Sequence, residues 1–255
     1  MSFDYELNCI VSGLRKAGLR KNDVVMCHSD ISNFGIPKSN LDANSIGKMF
    51  YSAFKIVLGR NGTLLIPTFT YSYSNGKIYN PNKSKNICGL LSEEFQKKRE
   101  GKTYLDPNIS YVVFGKFKDY FTSAVPYNSY GKNSLFEKFY NLNGKICNFN
   151  LDAGSTFIHY LERKLLVSYR FDKEFCGKTI IGKKKFDSCN SIYVKKKKYK
   201  KEVSFKKFTD VCVNLNKFKT AKIGRGFVGV ISSKNCYEIL KKELRKNYFF
   251  LLKWA

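Results

Sequence analysis

Apolar, strand-like runs alternate with amphipathic helix patterns between residues 20 and 165 of the chain. The apolar runs predict buried strands at 21–27, 63–67, 111–114 and 145–149. Apolar residues that recur every three or four positions predict helices at 3–17, 45–58, 90–99 and 134–141. This alternation predicts an α/β fold of three layers (α/β/α), in which helices cover both faces of a central, largely parallel or mixed sheet.

The pattern changes after residue 165. Short alternating runs predict antiparallel strands at 191–194, 222–224 and 226–231. A helix is predicted from about 236 to 246, and an apolar tail follows at 248–254. Because no repeat or long linker interrupts the chain, we expect one domain over residues 1–255, with a β-rich extension at 165–235.

The composition narrows the class of protein. The chain is 43% hydrophobic, which is enough for a sizeable core, yet it contains no apolar run of about 18 residues that would predict a membrane span. Early acidic residues and the lack of an apolar segment at the N-terminus predict no secretory signal. The eight cysteines form no CxxC pair, so we expect reduced thiols in a cytoplasmic protein, with no disulfide framework and no metal site.

The net charge limits the partners. Lys and Arg number 46 against 20 Asp and Glu, which gives a formal charge of +26. Such a field attracts anions and repels polycations. A basic run from Lys195 to Lys207, with Tyr199 and Phe205 within it, could bind single-stranded nucleic acid through phosphate contacts and stacking. A solvated lysine-rich hairpin is the favoured interpretation, since no nucleic-acid-binding signature accompanies the run, and we expect no nucleic-acid partner and no membrane insertion.

Three polar loops, at 28–35, 68–74 and 151–159, directly follow predicted strands. In a parallel sheet such loops meet at the carboxyl edge, where ligands bind. The last loop leads into a helix, with Asp152 or Ser155 as the expected N-cap. His159 lies about one turn into that helix, and Glu162, three residues on, shares its face. A histidine with nearby hydroxyls, and no nucleotide or metal motif, favours acid–base group transfer over a satisfied core histidine.

Five ordered segments stand out: DVVMCHSDISNFG at 23–35, GTLLIPTFT at 62–70, DPNIS at 106–110, SYGKNSL at 129–135 and DAGSTFIHYLE at 152–162. These segments resemble, in the same order, the aminoglycoside 3-N-acetyltransferase family, also called the antibiotic N-acetyltransferase family. Together they span nearly the whole chain. The resemblance implies direct transfer of an acyl group from acetyl-coenzyme A, or another short acyl-coenzyme A, to an amine, without a metal and without a covalent enzyme intermediate.

The resemblance also implies roles for individual residues. His159 falls on the catalytic histidine and is expected to act as general base, while Glu162 orients its ring or binds the amine, and Thr70 helps to stabilise the oxyanion. The coenzyme A residues are expected to be His28, Ser29, Asp30, Ile31, Ser32, Thr68, Ser110, Tyr130 and Ser134. The substrate residues are expected to be Tyr71, Tyr73, Asp106, Asp152 and Arg170.

Two departures bear on the substrate. Asp106 stands where aminoglycoside enzymes usually carry histidine, and Asp30 replaces the second serine of the phosphate loop. The segment at 162–177 and the Asp-Pro pair at 106 resemble a branch of the family that acylates nucleotide-linked amino sugars for surface polysaccharides. The net positive charge favours that anionic substrate, for example a dTDP-3-amino-3,6-dideoxyhexose, over a cationic aminoglycoside, which remains the alternative. The resemblance leaves a homodimer open.

Overall fold

The computed structural model describes residues 3–39 and 41–253. In chain order, the strands are β1 (Val24–Ser29), β2 (Thr63–Pro67), β3 (Lys102–Tyr104), β4 (Tyr111–Gly115), β5 (Lys145–Phe149), β6 (Arg170–Ile181), β7 (Lys184–Lys195), β8 (Glu202–Val203), β9 (Lys219–Ile223), β10 (Gly226–Ser232) and β11 (Leu252–Lys253). The helices are α1 (Leu7–Lys16), α2 (Ala43–Leu58), α3 (Leu90–Gln96), α4 (Lys118–Thr122), α5 (Leu135–Asn141), α6 (Phe157–Lys164), α7 (Lys206–Asn214) and α8 (Ser233–Lys246).

Seven strands form the central sheet, in the order β3-β4-β2-β1-β5-β10-β9. The middle three, β2, β1 and β5, are parallel to one another. Their outer neighbours β4 and β10 run antiparallel to them, and the edge strands β3 and β9 pair antiparallel with β4 and β10. The α/β fold with a mixed sheet is therefore confirmed, whereas the largely parallel arrangement is limited to the centre.

Two apolar clusters lie on opposite faces of the sheet. Strand β1 shows the division, because Val24 and Met26 belong to one cluster and Val25 and Cys27 to the other, as alternate residues of a strand must. Helices α1, α2 and α3 cover the second cluster, and α5, α6, α7 and α8 cover the first. The layers agree with the predicted α/β/α arrangement. The single domain over residues 1–255 stays a prediction.

The predicted element boundaries agree with the structure where a local signal marks the end. Strands β2 and β5 span the predicted residues, and α2 ends at the predicted Leu58, before Gly59 at a φ of 66°. Helix α1 begins at Leu7 rather than at residue 3. Its predicted first turn instead pairs with a distant loop, because the Asp4 N–H donates to the Ile36 carbonyl at 2.7 Å.

The region at 165–235 differs from its prediction. It does contain a long hairpin of two twelve-residue strands, β6 and β7. However, β9 and β10 join the central sheet, and the nine residues of α7 form a helix, whose Phe208 and Cys212 pack inward one turn apart. The tail at 248–254 ends in β11, which pairs with β8, and its last residue lies outside the described residues. No helix in the described residues is long and apolar enough to cross a membrane.

One cysteine prediction is wrong. Cys176 and Cys189 form a disulfide across the β6–β7 hairpin, although reduced thiols were expected throughout. The two residues are direct partners in the hairpin register, which brings their side chains together on one face. The pairing is invisible in the sequence because it depends on the strand register and not on a CxxC spacing. The other six cysteines are free.

Candidate active site

The three parallel strands end at the same edge of the sheet, and the three predicted loops follow them there. The first loop meets the end of β5, since the Asp30 N–H donates to the Phe149 carbonyl at 3.0 Å. The Asn148 side chain donates to the carbonyl oxygens of Asp152 and Gly154, at 2.5 and 3.1 Å. Asn148, at the end of β5, thereby fixes the loop that leads into α6.

The start of α6 differs from its prediction. Thr156 is the N-cap residue and makes no side-chain cap, whereas Asp152 or Ser155 was expected in that place. Ser155 does bond nearby, because its hydroxyl oxygen accepts the Phe157 N–H at 3.3 Å. Asp152 lies exposed in the preceding loop, where its carboxylate can meet a ligand. His159 is the third residue of α6, as the sequence placed it.

His159 and Glu162 face each other across one helical turn. The distance from His159 Nδ1 to Glu162 Oε2 is 2.7 Å. The Glu162 side chain is fully buried, whereas 24% of the His159 side chain is exposed. A carboxylate beside Nδ1 selects the tautomer that carries its proton there, so Nε2 keeps its lone pair for a substrate.

Two further residues hold the Glu162 carboxylate from behind. Arg170 Nε lies 2.7 Å from Oε2, and the Tyr169 hydroxyl donates to Oε1 at 2.7 Å. Burial alone raises the pKa of Glu162, but His159, Arg170 and Tyr169 together bring this pKa below its ordinary value. The carboxylate is therefore charged near neutral pH, and both of its oxygens are occupied.

The same surroundings lower the pKa of His159. Burial is the main cause, and the Arg170 cation adds to it, while the Glu162 carboxylate acts in the opposite direction. A pKa below the ordinary 6.5 leaves the ring neutral at pH 7. A neutral imidazole with one anchored and one free nitrogen can accept a proton, which is the property of a general base.

Two aromatic rings flank the His159 ring. Tyr130 stands edge-on to it with the ring centroids 6.2 Å apart, and Phe205 is tilted toward it at the same distance. Gly154 makes room for Phe205, because a Cβ at this position would lie only 2.2 Å from the Phe205 ring. Phe205 was not among the predicted site residues, although the sequence showed it as an aromatic residue within the basic run.

Arg170, Thr68 and Ser110, which were predicted to bind ligands, are bonded to other groups of the protein. Arg170 was expected to bind substrate, but its side chain is only 6% exposed and is directed at Glu162. Tyr169 was missed, although it is the neighbour of Arg170 in the chain.

The Thr68 hydroxyl donates to Ser110 Oγ at 3.1 Å, and the Ser110 hydroxyl donates to the Thr68 carbonyl at 2.5 Å. This closed pair lies fully inside the protein.

The loop after β2 has a distorted backbone. The Thr70 hydroxyl donates to the Pro107 carbonyl at 3.0 Å, and Tyr71 has a φ of 46°, in the left-handed region that a tyrosine rarely adopts. The Thr70 and Tyr71 N–H groups both donate to the Asn108 carbonyl. Thr70 and Tyr71 are half-buried, so both remain partly accessible.

Asp106 and Tyr73 connect this loop with the β6–β7 hairpin. The buried Asp106 carboxylate accepts hydrogen bonds from the Ser129 hydroxyl at 2.5 Å and from the Asn190 amide at 3.2 Å. Two backbone N–H groups of its own loop also donate to it, at 2.9 Å. The Tyr73 hydroxyl lies 2.6 Å from Thr179 Oγ1 in the hairpin. These positions favour structural roles over direct substrate contact.

The predicted phosphate loop follows β1. One oxygen of the exposed Asp30 carboxylate accepts both the N–H and the hydroxyl of Ser32, at 3.1 and 2.5 Å, and these bonds lower the pKa of Asp30. Ser29 and Ile31 are half-buried beside them. Both ring nitrogens of His28 are buried without a hydrogen-bond partner in the described structure, and burial lowers its pKa to about 4. His28 is therefore neutral at pH 7.

The structure brings only part of the predicted set together. His159, Glu162 and Arg170 form one connected group with Tyr130 against the histidine ring. Ser134, expected at the coenzyme, is fully buried and caps α5, since its hydroxyl oxygen accepts the Glu137 N–H at 3.2 Å. It belongs to the framework of the site.

A family model described as aminoglycoside 3-N-acetyltransferase matches residues 26–245 of the chain. Among curated proteins, none matches the chain significantly. Solved structures are similar over almost the whole length. YokD from Bacillus subtilis is 18% identical, with 97% of this chain and 96% of that chain covered and a TM-score of 0.75.

Two acetyltransferase structures show the same likeness. AAC(3)-Xa is 14% identical, with 94% of this chain and 92% of that chain covered and a TM-score of 0.80. AAC-IIIb, in a binary complex with CoASH, is 16% identical, with 94% and 96% covered and a TM-score of 0.79. At such identities the structures establish a shared fold, and the family model carries the assignment to a family.

Proposed function

The chain belongs to the aminoglycoside 3-N-acetyltransferase family, whose members are coenzyme A-dependent N-acetyltransferases, and we propose that His159 is the general base of this transfer. The observation that carries the proposal is the arrangement of the ring. Nδ1 is held 2.7 Å from a buried carboxylate, and the ring is partly exposed and neutral at pH 7. No other histidine of the chain has a carboxylate partner, since His28 is the only other one.

In the proposed reaction, the substrate amine attacks the thioester carbonyl of acetyl-coenzyme A. A carbon–nitrogen bond forms, and His159 Nε2 takes the proton that the amine loses. The carbon–sulfur bond then breaks, and the coenzyme A thiolate receives the proton from His159. The charged Glu162 stabilises the imidazolium formed in between, while Arg170 keeps that state from persisting, because the cation favours return of the neutral ring.

The loop after β1 remains the proposed binding site for coenzyme A. The N–H groups of Ile31 and Asn33 meet no acceptor in the described part of the chain, so they can bind a pyrophosphate as a backbone nest does. Asp30 turns its carboxylate onto Ser32. This bond lessens the repulsion between Asp30 and an incoming phosphate, but it also occupies the Ser32 hydroxyl. Thr70 lies in the next loop, but its hydroxyl and its N–H already donate to the Pro107 and Asn108 carbonyls, so contact with the thioester oxygen requires one of these bonds to break.

We favour a nucleotide-linked amino sugar as the acceptor. The two deepest carboxylates of the site, Glu162 and Asp106, are buried and already hydrogen-bonded, so neither is available to a cationic drug. The net charge of +26 favours approach of an anionic substrate. An aminoglycoside is the second candidate, and the exposed carboxylate of Asp152 favours it.

A thiol-release assay tests the proposal. Acetyl-coenzyme A is incubated with the protein and a thiol reagent, together with a dTDP-3-amino-3,6-dideoxyhexose or with an aminoglycoside such as sisomicin. We expect thiol release that depends on the nucleotide sugar. Release only with the aminoglycoside would support the second candidate. Tight oligonucleotide binding with a steep salt dependence, and no thiol release with any amine, would overturn the enzymatic proposal.

A further inference from the structure

A small cavity lies beside the segment that carries Phe205. It has a volume of about 190 Å³ and is lined by Ser204, Lys206, Lys207, Phe250, Leu252 and Lys253. Phe250 and Leu252 are buried and form its apolar wall, while the three lysines are exposed around it. At roughly 30 Å³ per water molecule, the cavity holds about six waters, which is room for a pair of phosphates.

This cavity adjoins the residue that packs against the proposed base, His159. Ser204 and Lys206 are the two neighbours of Phe205, whose ring centroid lies 6.2 Å from that of His159. Helix α7 is fixed against the loop that leads into α6, because the Ala153 N–H donates to Thr209 Oγ1 at 2.9 Å. A ligand in the cavity would therefore contact the two residues that flank Phe205, and Phe205 itself packs against the His159 ring.

The lysines of the cavity form no close ion pair, although Glu202 is the strand partner of Lys253. Within the described residues, no carboxylate forms an ion pair with Lys206, Lys207 or Lys253, in contrast to Lys145, which is paired with Asp23 at 2.8 Å. Lys206 and Lys207 also begin α7, where the partial positive charge of the helix terminus adds to their own. The apolar wall excludes water on one side, which strengthens the attraction between a lysine and an anion.

We infer that this cavity binds the diphosphate of a nucleotide-linked acceptor, with phosphate oxygens against Lys206, Lys207 and Lys253. The inference rests on the proposed function, because it assigns the amino sugar to His159 and the diphosphate to the adjoining cavity. Coenzyme A also carries phosphates, so its adenosine bisphosphate end is the other source of the same chemistry. We assign the cavity to the acceptor, since the proposed pyrophosphate loop of the coenzyme lies elsewhere, after β1.

Steady-state kinetics separates the two sources. The Lys206→Gln/Lys207→Gln double variant and Lys253→Gln are compared with a control, Lys184→Gln/Lys185→Gln, which removes two exposed charges from the hairpin. We expect the KM for the nucleotide sugar to rise about tenfold in the double variant, with kcat and the KM for acetyl-coenzyme A within twofold. A rise in the KM for acetyl-coenzyme A instead, or equal effects in the control, would overturn the assignment.

A binding measurement keeps the inference independent of turnover. Titration calorimetry with dTDP, and separately with adenosine 3′,5′-bisphosphate, is run on the wild type and on the same variants at fixed salt, with folding checked by circular dichroism. We expect dTDP binding that weakens about tenfold in the double variant and persists in saturating coenzyme A. If dTDP binds in this way but no acetyl transfer to the nucleotide sugar occurs, the proposed acceptor is wrong and the diphosphate site stands. Absence of dTDP binding overturns the site even in an active enzyme.

Discussion

His28 and His159 occupy similar places in the sheet but have different surroundings. His28 lies near the end of β1, where it pairs in register with Asn148 of the neighbouring parallel strand β5, and His159 follows the loop beyond that same strand. Burial lowers the pKa of both rings. Yet His159 Nδ1 is bonded to Glu162, whereas both nitrogens of His28 are enclosed without a partner among the described residues.

The comparison shows that a low pKa does not by itself make a base. A neutral imidazole can accept a substrate proton only if one nitrogen is accessible, and a partner on the other nitrogen stabilises the charge that results. His159 meets both conditions and His28 meets neither. The two positions can therefore be tested against each other.

The largest expected effect comes from removing the proposed base. We expect His159→Asn to lower kcat at least about a hundredfold, because loss of a general base usually costs two or more orders of magnitude. His28→Asn is the matched control and should keep kcat within a few fold. Initial rates of thiol release measure both. Near-full turnover in His159→Asn would remove His159 from the mechanism.

The second test removes the positive charge of Arg170, which lies next to Glu162. Arg170→Gln removes a cation that lowers the pKa of His159, so that pKa should rise and the acidic limb of kcat/KM should move to higher pH. We expect a loss of about tenfold at pH 6 beyond any loss at pH 8. Arg163→Gln, which removes an arginine of the His159 helix and breaks its pair with Asp172, is the control. An unshifted profile in Arg170→Gln would contradict this role.

The third test concerns stability and not activity. The pKa of His28 is about 4 in the folded protein, against an ordinary value of 6.5, so the unfolded chain binds its proton first as the pH falls. The stability that the neutral ring allows is complete above pH 6.5 and decreases toward pH 4, by about 2 kcal/mol at pH 5. Urea unfolding at pH 7 and pH 5 measures this difference. His28→Asn should show a smaller acid-induced loss than the wild type.

The smallest expected effect on turnover comes from replacing lysines of the basic run. Lys196, Lys197 and Lys198 lie before the cavity lysines and outside the histidine site, so their replacement by glutamine should leave turnover nearly unchanged at moderate salt. Lys195 is left in place, because its ammonium donates to the Tyr199 carbonyl at 2.9 Å. A large rise in the KM for the nucleotide sugar would show that the whole run contributes to the substrate site.

The sequence predicted those parts of the site that are close together in the chain. The spacing of His159 and Glu162 places them on one helical face whatever the rest of the fold does, and their contact is confirmed at 2.7 Å. The signals that predicted strands β2 and β5 were equally local, since each strand is a short apolar run between turn residues. The predicted N-cap of α6 was wrong, because Asn148 of β5, rather than a capping side chain, fixes the path of the loop.

Contacts between distant residues were decided only by the tertiary structure. Arg170 was expected at the substrate, but the start of the hairpin directs it at Glu162. Phe205 reaches the His159 ring, and Cys176 meets Cys189, because the packing of α7 and the register of the hairpin bring them there. Helical periodicity and strand alternation are properties of a short stretch of chain, and the sequence alone determines them. Which side chain fills the space behind a carboxylate depends on how separate elements pack, and that is decided by the burial of the whole core.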